Sequence, residues 1–205
     1  MHNWSRKNGV IIMDIRKFFF QYRGFTPVPL VLIVLIFAQP NLHSFLWGLF
    51  WMLLGELIRI WGVAYAGGAT RTRQVSAPYL VTDGPFGYVR NPLYIGNIIM
   101  YTGATLMANV WIPWLIFIVW VFFSIQYYFI IDLEEEKLSE LFGKEYLIYK
   151  EKVPKFIPSL SLQIPKEKTI PDYKKAFISE KSTFISFITI ILLILGKWLI
   201  NQNIL

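Results

Sequence analysis

The 205-residue sequence contains no cysteine and only two histidines. Without thiols there can be no disulfide, thiolate nucleophile, cysteine-ligated zinc or iron–sulfur cluster. His2 and His43 lie far from the densest motifs, and a zinc site would still need further ligands. We therefore expect no metal ion.

Charge is also scarce. Charged residues make up 16% of the chain, whereas 55% of it is hydrophobic and 18% aromatic. This is more apolar surface than one water-soluble core of this size needs. Arg16, Lys17 and Arg23 interrupt the region where the apolar core of a cleaved signal peptide would lie. The composition predicts an all-α, multi-pass membrane protein with no cleaved signal peptide.

Apolar segments that approach the roughly 20 residues of a spanning helix predict about five transmembrane helices. Asn109 and Pro113 mark a tight turn that makes a helical hairpin of the third and fourth. The first is the weakest, because it is short and Pro40 ends it. The predicted spans cover residues 25–38, 44–66, 93–106, 111–131 and 183–200.

The sequence predicts one membrane-embedded domain rather than several. Residues 1–24 form a cytoplasmic or interfacial N-terminus, in which 10–22 is too charged to span and predicts an amphipathic interfacial helix. Residues 25–131 hold four spans, 132–182 form a cytoplasmic segment, and 183–205 form the C-terminal helix.

The net charge of +7 is distributed unevenly between the predicted loops. Lys and Arg precede the first span, separate the second from the third, and crowd 137–181, but 39–43 and 107–110 contain neither. The positive-inside rule therefore places the N-terminus and these basic segments in the cytoplasm, in a bacterial inner membrane or an endoplasmic-reticulum-like membrane. Topology and anionic lipids explain the basic excess, so we expect membrane lipids and no nucleic acid as partners.

The stretch 79–96, YLVTDGPFGYVRNPLYIG, mixes turn formers with charge where a helix enters the membrane. Asp83, Gly84 and Pro85 favour an irregular backbone, and Pro92 biases Asn91 away from helix. Backbone groups left free by this geometry can bind a polar ligand, provided that protein or water covers them. An ordinary interfacial turn is the alternative interpretation.

The second dense stretch, 132–158, begins with three glutamates at positions 134–136. A solvated face is the usual explanation for such a charge run. However, Leu138, Leu141 and Phe142 recur at helical spacing and predict a helix that packs back onto the membrane domain. Some of the glutamates are therefore expected to point inward.

Together these stretches resemble the two motifs of the isoprenylcysteine carboxyl methyltransferase and phospholipid methyltransferase superfamily. Its first motif usually reads LVTxGPYxxVRHPxYxG and its second EExxLxxxFGxEYxxYxxxVPxFIP. Both occur here in the same order, joined by the predicted helical hairpin, and the match covers about residues 70–160. The resemblance implies that S-adenosylmethionine binds in a cytoplasm-facing pocket made from both motifs, while a lipophilic substrate arrives from the bilayer.

The resemblance also implies roles for individual residues. Glu134 matches the first acid of the EE pair and is expected to bind cofactor hydroxyls or the amino group, and Arg71 falls roughly at a polar cofactor contact of eukaryotic relatives. We expect Arg90 and Glu135 to be the catalytic residues that orient groups at the pocket mouth, although Arg90 also suits a phosphate-binding interfacial role. The expected cofactor-binding residues are Tyr79, Leu80, Val81, Gly84, Phe86, Asn91, Pro92, Leu93, Tyr94 and Glu134.

Two positions depart from the family pattern. Asn91 stands where many members have histidine, and an amide cannot take a proton near neutral pH. Ile130 stands where the prenylcysteine enzymes carry an arginine that suits a carboxylate. A lipid amine, phenol or thiol is therefore at least as plausible an acceptor as a prenylcysteine-like carboxylate.

Two other functions stay open on the sequence. A nicotinamide-dependent membrane reductase of sterol-reductase-like architecture is one, and a non-enzymatic lipid-binding subunit, favoured by Asn91, is the other. The EE and FGxEY segments favour methyl transfer. Within the second span, Glu56 and Arg59 lie one helical turn apart and predict a mutual ion pair, with a role in holding substrate as the alternative.

Overall fold

A computed structural model of the chain describes residues 4–7, 10–67, 79–162 and 169–202, and of residues 4–7 and 10–13 the backbone alone. These residues form helices and connecting segments, apart from one antiparallel pair of short strands, which confirms the predicted all-α membrane architecture. In chain order the elements are strands β1 (Trp4–Lys7) and β2 (Val10–Met13), helices α1 (Ile15–Tyr22), α2 (Val28–Ile36) and α3 (Leu42–Ala66), a 3-10 turn at Gly84–Gly87, and helices α4 (Pro92–Ala108), α5 (Trp114–Phe142), α6 (Lys144–Lys152), α7 (Tyr173–Ser179) and α8 (Lys181–Asn201).

The chain is an integral membrane protein. Among the described helices, α3, α5 and α8 are long and apolar enough to cross a bilayer, and they correspond to the second, fourth and fifth predicted spans. Helix α4 has 17 residues and α2 has nine. Nine residues cover about 14 Å of the roughly 30 Å hydrocarbon core. The predicted number of five spans is therefore not confirmed.

The N-terminal region corrects the predicted amphipathic helix over residues 10–22. Strand β2 pairs with β1, so that Val10 lies opposite Lys7. Three of its residues are β-branched, which suits a strand better than a helix. Helix α1 starts only at Ile15, because the Asp14 carboxylate accepts a hydrogen bond from the Arg16 backbone N–H (3.1 Å) and caps the helix.

Helices α3 and α4 approach each other closely through glycines. A Cβ added at Gly55 would lie 2.6 Å from the Gly96 carbonyl oxygen, and one at Gly103 would lie 2.6 Å from the Met52 backbone nitrogen. Small residues allow helix backbones to meet in this way inside a membrane. The contact sets the position of α4, which begins within the first motif at Pro92.

Helix α5 is longer than the predicted span. Instead of ending at 131 it continues without a break to Phe142, so the acidic run lies on the same helix as the span. The C-terminal part of α5 also binds α1. Arg16 donates hydrogen bonds to Asp132 (3.0 Å) and Glu136 (2.7 Å), and Phe19 stacks on Phe129 with ring centroids 5.6 Å apart.

A buried ion pair joins α3 to the start of α8. Arg59 Nη2 donates to both carboxylate oxygens of Glu180 (2.9 and 2.8 Å), and Glu180 is fully buried. The predicted partner, Glu56, is farther away, with its Oε2 atom 3.8 Å from Arg59 Nε. The local pair is therefore present, but the shorter contact goes to a carboxylate 121 residues away in sequence.

We expect Gly55→Ala to lower the free energy of unfolding by about 1–3 kcal/mol, because the new methyl group would press on the Gly96 carbonyl. Gly196→Ala in α8 is the matched control, since a Cβ there has nothing within 4 Å, and it should be neutral or stabilise by about 0.5–1 kcal/mol. Thermal unfolding in detergent, followed by tryptophan fluorescence, measures both. Equal melting temperatures for the two variants would contradict the close helix contact.

Candidate functional site

The two motif stretches meet, as the resemblance to the methyltransferase superfamily implies. The Arg90 backbone N–H donates to the Pro154 carbonyl (2.9 Å), and the Ser159 N–H donates to the Tyr88 carbonyl (2.9 Å). The Asn91 side-chain amide donates to the Lys155 carbonyl at 3.1 Å. These contacts join the irregular segment before α4 to the segment after α6.

Arg90 lies at the centre of this junction. Its Nε and Nη2 atoms donate to Glu135 Oε1 (3.1 and 2.9 Å), and Nη1 donates to the carbonyls of Lys150 (2.8 Å) and Val153. Glu135 is 5% exposed, and its Oε2 atom lies 3.1 Å from Lys150 Nζ and 3.5 Å from Lys155 Nζ. Arg90 and Glu135 therefore form an ion pair, and the carboxylate points inward. Because the guanidinium also binds carbonyls beyond α5, Arg90 holds α6 against the first motif.

Glu134 forms a second polar group beside this pair. The Tyr94 hydroxyl donates to Glu134 Oε1 at 2.9 Å, and Arg23 Nη1 lies 3.8 Å from the same oxygen. Arg23 belongs to the N-terminal segment. The sequence indicated no role for it beyond that of the basic residues that determine the membrane topology. The contact with Glu134 thus brings a residue from outside both motifs into the site.

Both polar groups face one cavity of about 900 Å³, which is the size of a small-molecule site. One end is polar, with Asn91 and Glu134, and the other is apolar, with Leu30, Val34 and Val119. Most of the expected site residues line it: Tyr79, Leu80, Val81, Phe86, Arg90, Asn91, Pro92, Leu93, Tyr94, Glu134 and Glu135.

Gly84 and Arg71 differ from the other expected site residues. Gly84 is not among the lining residues; its φ of +58° lies in the left-handed region, and an added Cβ would meet the Tyr65 ring at 2.6 Å. The motif has glycine at this position because the turn requires a left-handed backbone conformation, which glycine adopts without strain. Arg71 lies outside the described residues.

Two tyrosines of the second motif complete the junction. The Tyr149 hydroxyl donates to the Phe86 carbonyl at 2.9 Å, and both Tyr146 and Tyr149 are buried. Burial raises the pKa of both phenols well above the usual range, so they stay neutral hydrogen-bonding groups. Their positions in the FGxEYxxY pattern were the signal in the sequence that pointed to them.

Several further lining residues with polar side chains were not among the expected site residues, for example Arg23, Arg59, Asn97 and Tyr127. Arg59 donates from Nη1 to Asn97 Oδ1 at 2.6 Å. Only the presence of polar side chains inside apolar segments could have indicated Arg59 and Asn97. Within the residues that the structure describes, no group of three or more His, Asp or Glu is placed to hold a metal ion.

We expect Arg90→Gln to destabilise the protein by roughly 3–5 kcal/mol, because it removes one partner of a buried ion pair and two donors to backbone carbonyls. Amide hydrogen exchange across 144–153 should accelerate. Arg16→Gln is the control, since its pairs with Asp132 and Glu136 are about half exposed and worth at most about 1 kcal/mol. Similar exchange in the two variants would show that Arg90 does not hold α6.

The sequence is similar to that of known membrane methyltransferases. The sequence profile of the phospholipid methyltransferase family matches residues 44–145, from α3 to the start of α6. Over 113 residues the chain is 33% identical to a protein-S-isoprenylcysteine O-methyltransferase of Schizosaccharomyces pombe, an alignment that covers 52% of this chain and 46% of that protein. Over 129 residues it is 31% identical to protein-S-isoprenylcysteine O-methyltransferase B of Arabidopsis thaliana, covering 58% of this chain and 64% of that protein.

A third relative, the protein-S-isoprenylcysteine O-methyltransferase of Xenopus laevis, is 31% identical over 140 residues, covering 58% of this chain and 43% of that protein. The chain therefore spans less than two thirds of each of these relatives. No solved structure matches the chain significantly.

Proposed function

Because the chain belongs to the isoprenylcysteine carboxyl methyltransferase and phospholipid methyltransferase superfamily, we propose that it transfers a methyl group from S-adenosylmethionine to a lipophilic acceptor. The observation that carries this proposal is a cavity of about 900 Å³ with a polar end and an apolar end. Both motifs line the polar end, and membrane helices line the other. On the predicted topology the polar end faces the cytoplasm.

The polar end has the chemical groups that S-adenosylmethionine requires. Glu134 offers a carboxylate to an ammonium group or to ribose hydroxyls, and Arg23 beside it offers a cation to a carboxylate. Tyr79, Phe86 and Tyr146 add aromatic surface for a flat base. When bound, this cofactor supplies an electrophilic methyl group on a sulfonium.

The residues of the chain contribute alignment and exclusion of water. Asn91 cannot act as a base, so its role is to hold the start of α4 against the Lys155 carbonyl. The Arg90–Glu135 pair keeps the irregular backbone before α4 in place. Positioning and dehydration of this kind account for much of the acceleration of a substitution reaction.

The apolar end accommodates the acceptor chain. Val34, Met52 and Val119 line it and are buried, and Ile185 and Ile190 of α8 form the facing wall. Such a surface suits a hydrocarbon chain and carries no preference for one lipid family. The acceptor therefore reaches the site from the bilayer.

We expect the purified protein in detergent to bind S-adenosylhomocysteine in calorimetry, and Glu134→Gln to weaken this binding about ten- to a hundredfold, because it removes a charge-assisted hydrogen bond. Glu140→Gln on the same helix is the matched control, since Glu140 is exposed and pairs with Lys137 of the same helix. NADPH serves as the competing ligand. Binding of NADPH without binding of S-adenosylhomocysteine would replace this proposal with a reductase.

A second measurement tests the reaction itself. The protein is reconstituted in nanodiscs with a total lipid extract and S-adenosylmethionine whose methyl group is deuterated. We expect label in the lipid fraction with the wild-type chain and a loss of at least tenfold with Glu134→Gln, because the cofactor is no longer held. Cofactor binding without any labelled lipid, across extracts from several sources, would instead indicate a lipid-binding subunit.

A further inference from the structure

Helix α4 lines the cavity turn after turn, from the polar end to the apolar end. Tyr94, Asn97, Tyr101 and Ala104 all lie on the cavity wall. Three residues of helix advance about 4.5 Å and four about 6 Å. Asn97 therefore lies one turn from Tyr94, which binds Glu134, and two turns from Ala104 at the apolar end. An amide at this depth occupies the border between the two ends.

Other polar groups line the same cavity as Asn97 and together with it define what we term the Asn97 site. Arg59 donates to Asn97 Oδ1 at 2.6 Å, and Tyr127 lines the same wall. From α8, Ser182 and Ser186 reach the cavity as well. The Ser186 hydroxyl donates to the Ser182 carbonyl at 3.0 Å, which leaves its oxygen able to accept. The Asn97 site consists of Arg59, Asn97, Tyr127, Ser182 and Ser186.

The charges on the described cavity wall are matched in pairs. The lining arginines are Arg23, Arg59 and Arg90, and the lining carboxylates are Glu134 and Glu135. Arg23 lies 3.8 Å from Glu134, and Arg90 lies 2.9 Å from Glu135.

Arg59 is matched by two carboxylates behind the wall. Its Nη2 atom lies 2.8 Å from Glu180, and its Nε atom lies 3.8 Å from Glu56, and both glutamates are buried. A charged head group at Asn97 would therefore be buried beside charges that already have counter-charges, at a considerable cost in desolvation. An uncharged head group has a much smaller desolvation cost, and it can still form hydrogen bonds with the donors and acceptors of the Asn97 site.

We infer that the Asn97 site binds the head group of the methyl acceptor and selects an uncharged, hydrogen-bonding group, such as an alcohol or a phenol on an apolar chain. This inference rests on the proposed function in calling the ligand an acceptor. It differs from the carboxylate that the prenylcysteine resemblance would suggest, and it makes Asn97 a specificity-determining residue. The depth of Asn97 puts the head group one helical turn from the residues proposed to hold the cofactor.

Three ligands that share the same apolar chain but differ in head group test whether the site selects an uncharged group. Farnesol, farnesylamine and farnesoic acid are titrated at neutral pH against the full chain in nanodiscs saturated with S-adenosylhomocysteine, with empty nanodiscs to subtract partitioning. Farnesol is expected to bind at least tenfold more tightly than either charged ligand. Equal or tighter binding of farnesoic acid or farnesylamine would overturn the inference.

Variants test whether the Asn97 site is responsible for the preference for an uncharged head group. Asn97→Leu should weaken farnesol binding about tenfold or more, and Asn97→Asp should raise the affinity for farnesylamine relative to farnesol by a similar factor. Thr102→Val is the control on the same helix, because Thr102 bonds to the Ile98 carbonyl and is not a lining residue; it should bind all three ligands like the wild type. If Asn97→Leu does not fold, Ser186→Ala decides, with an expected three- to fivefold loss for farnesol.

Unchanged farnesol binding in the folded Asn97 or Ser186 variant would contradict the Asn97 site. Binding of S-adenosylhomocysteine is measured in the same samples. Its absence in the wild type would refute the proposed function, whereas normal cofactor binding with no preference for farnesol would refute only the head-group inference.

Discussion

The buried ion pair between Arg90 and Glu135 is the interaction on which the site depends. An irregular backbone beside a membrane must find partners for its polar groups, and a planar guanidinium supplies several donors from one side chain. Arg90 uses them on Glu135 and on two carbonyls at the end of α6. Together with the contacts of Asn91, Tyr149 and Ser159, Arg90 joins the segment before α4 to the segment after α5 in a single wall. Glu134, the neighbour of Glu135, is thereby brought to Tyr94.

Much of this arrangement could be predicted from the sequence, because its signals are local. Helices α3, α5 and α8 follow from apolar runs of sufficient length, and α4 follows from the proline that begins it. The inward direction of Glu134 and Glu135 followed from apolar residues at helical spacing on the next turns. The meeting of the two stretches followed from a resemblance that joins them, since neither stretch alone indicates its partner.

The contacts that could not be predicted join residues far apart in sequence. Arg59 has a carboxylate one turn away, yet its shorter contact is to Glu180 at the start of α8. Nothing in the spacing of charges distinguishes these partners, because the choice depends on how α8 packs. From the sequence alone, Arg23 cannot be distinguished from the other basic residues near the predicted membrane surface. The fold places its guanidinium 3.8 Å from Glu134. The N-terminal strands show the same limit, since a mixed apolar and charged segment suits an interfacial helix as well as a strand pair.

The unbroken course of α5 has a consequence for how this site can change. Val119 at the apolar end and Glu134 at the polar end lie on one rigid helix, and their separation corresponds to about 22 Å along its axis. Their helical phase differs by roughly 60°, so both face the cavity. One inserted residue between them would rotate Glu134 by about 100° and turn it from the cavity. Side-chain exchanges at constant helical phase can therefore alter the apolar end without disturbing Glu134, whereas a one-residue insertion between the two ends would separate them.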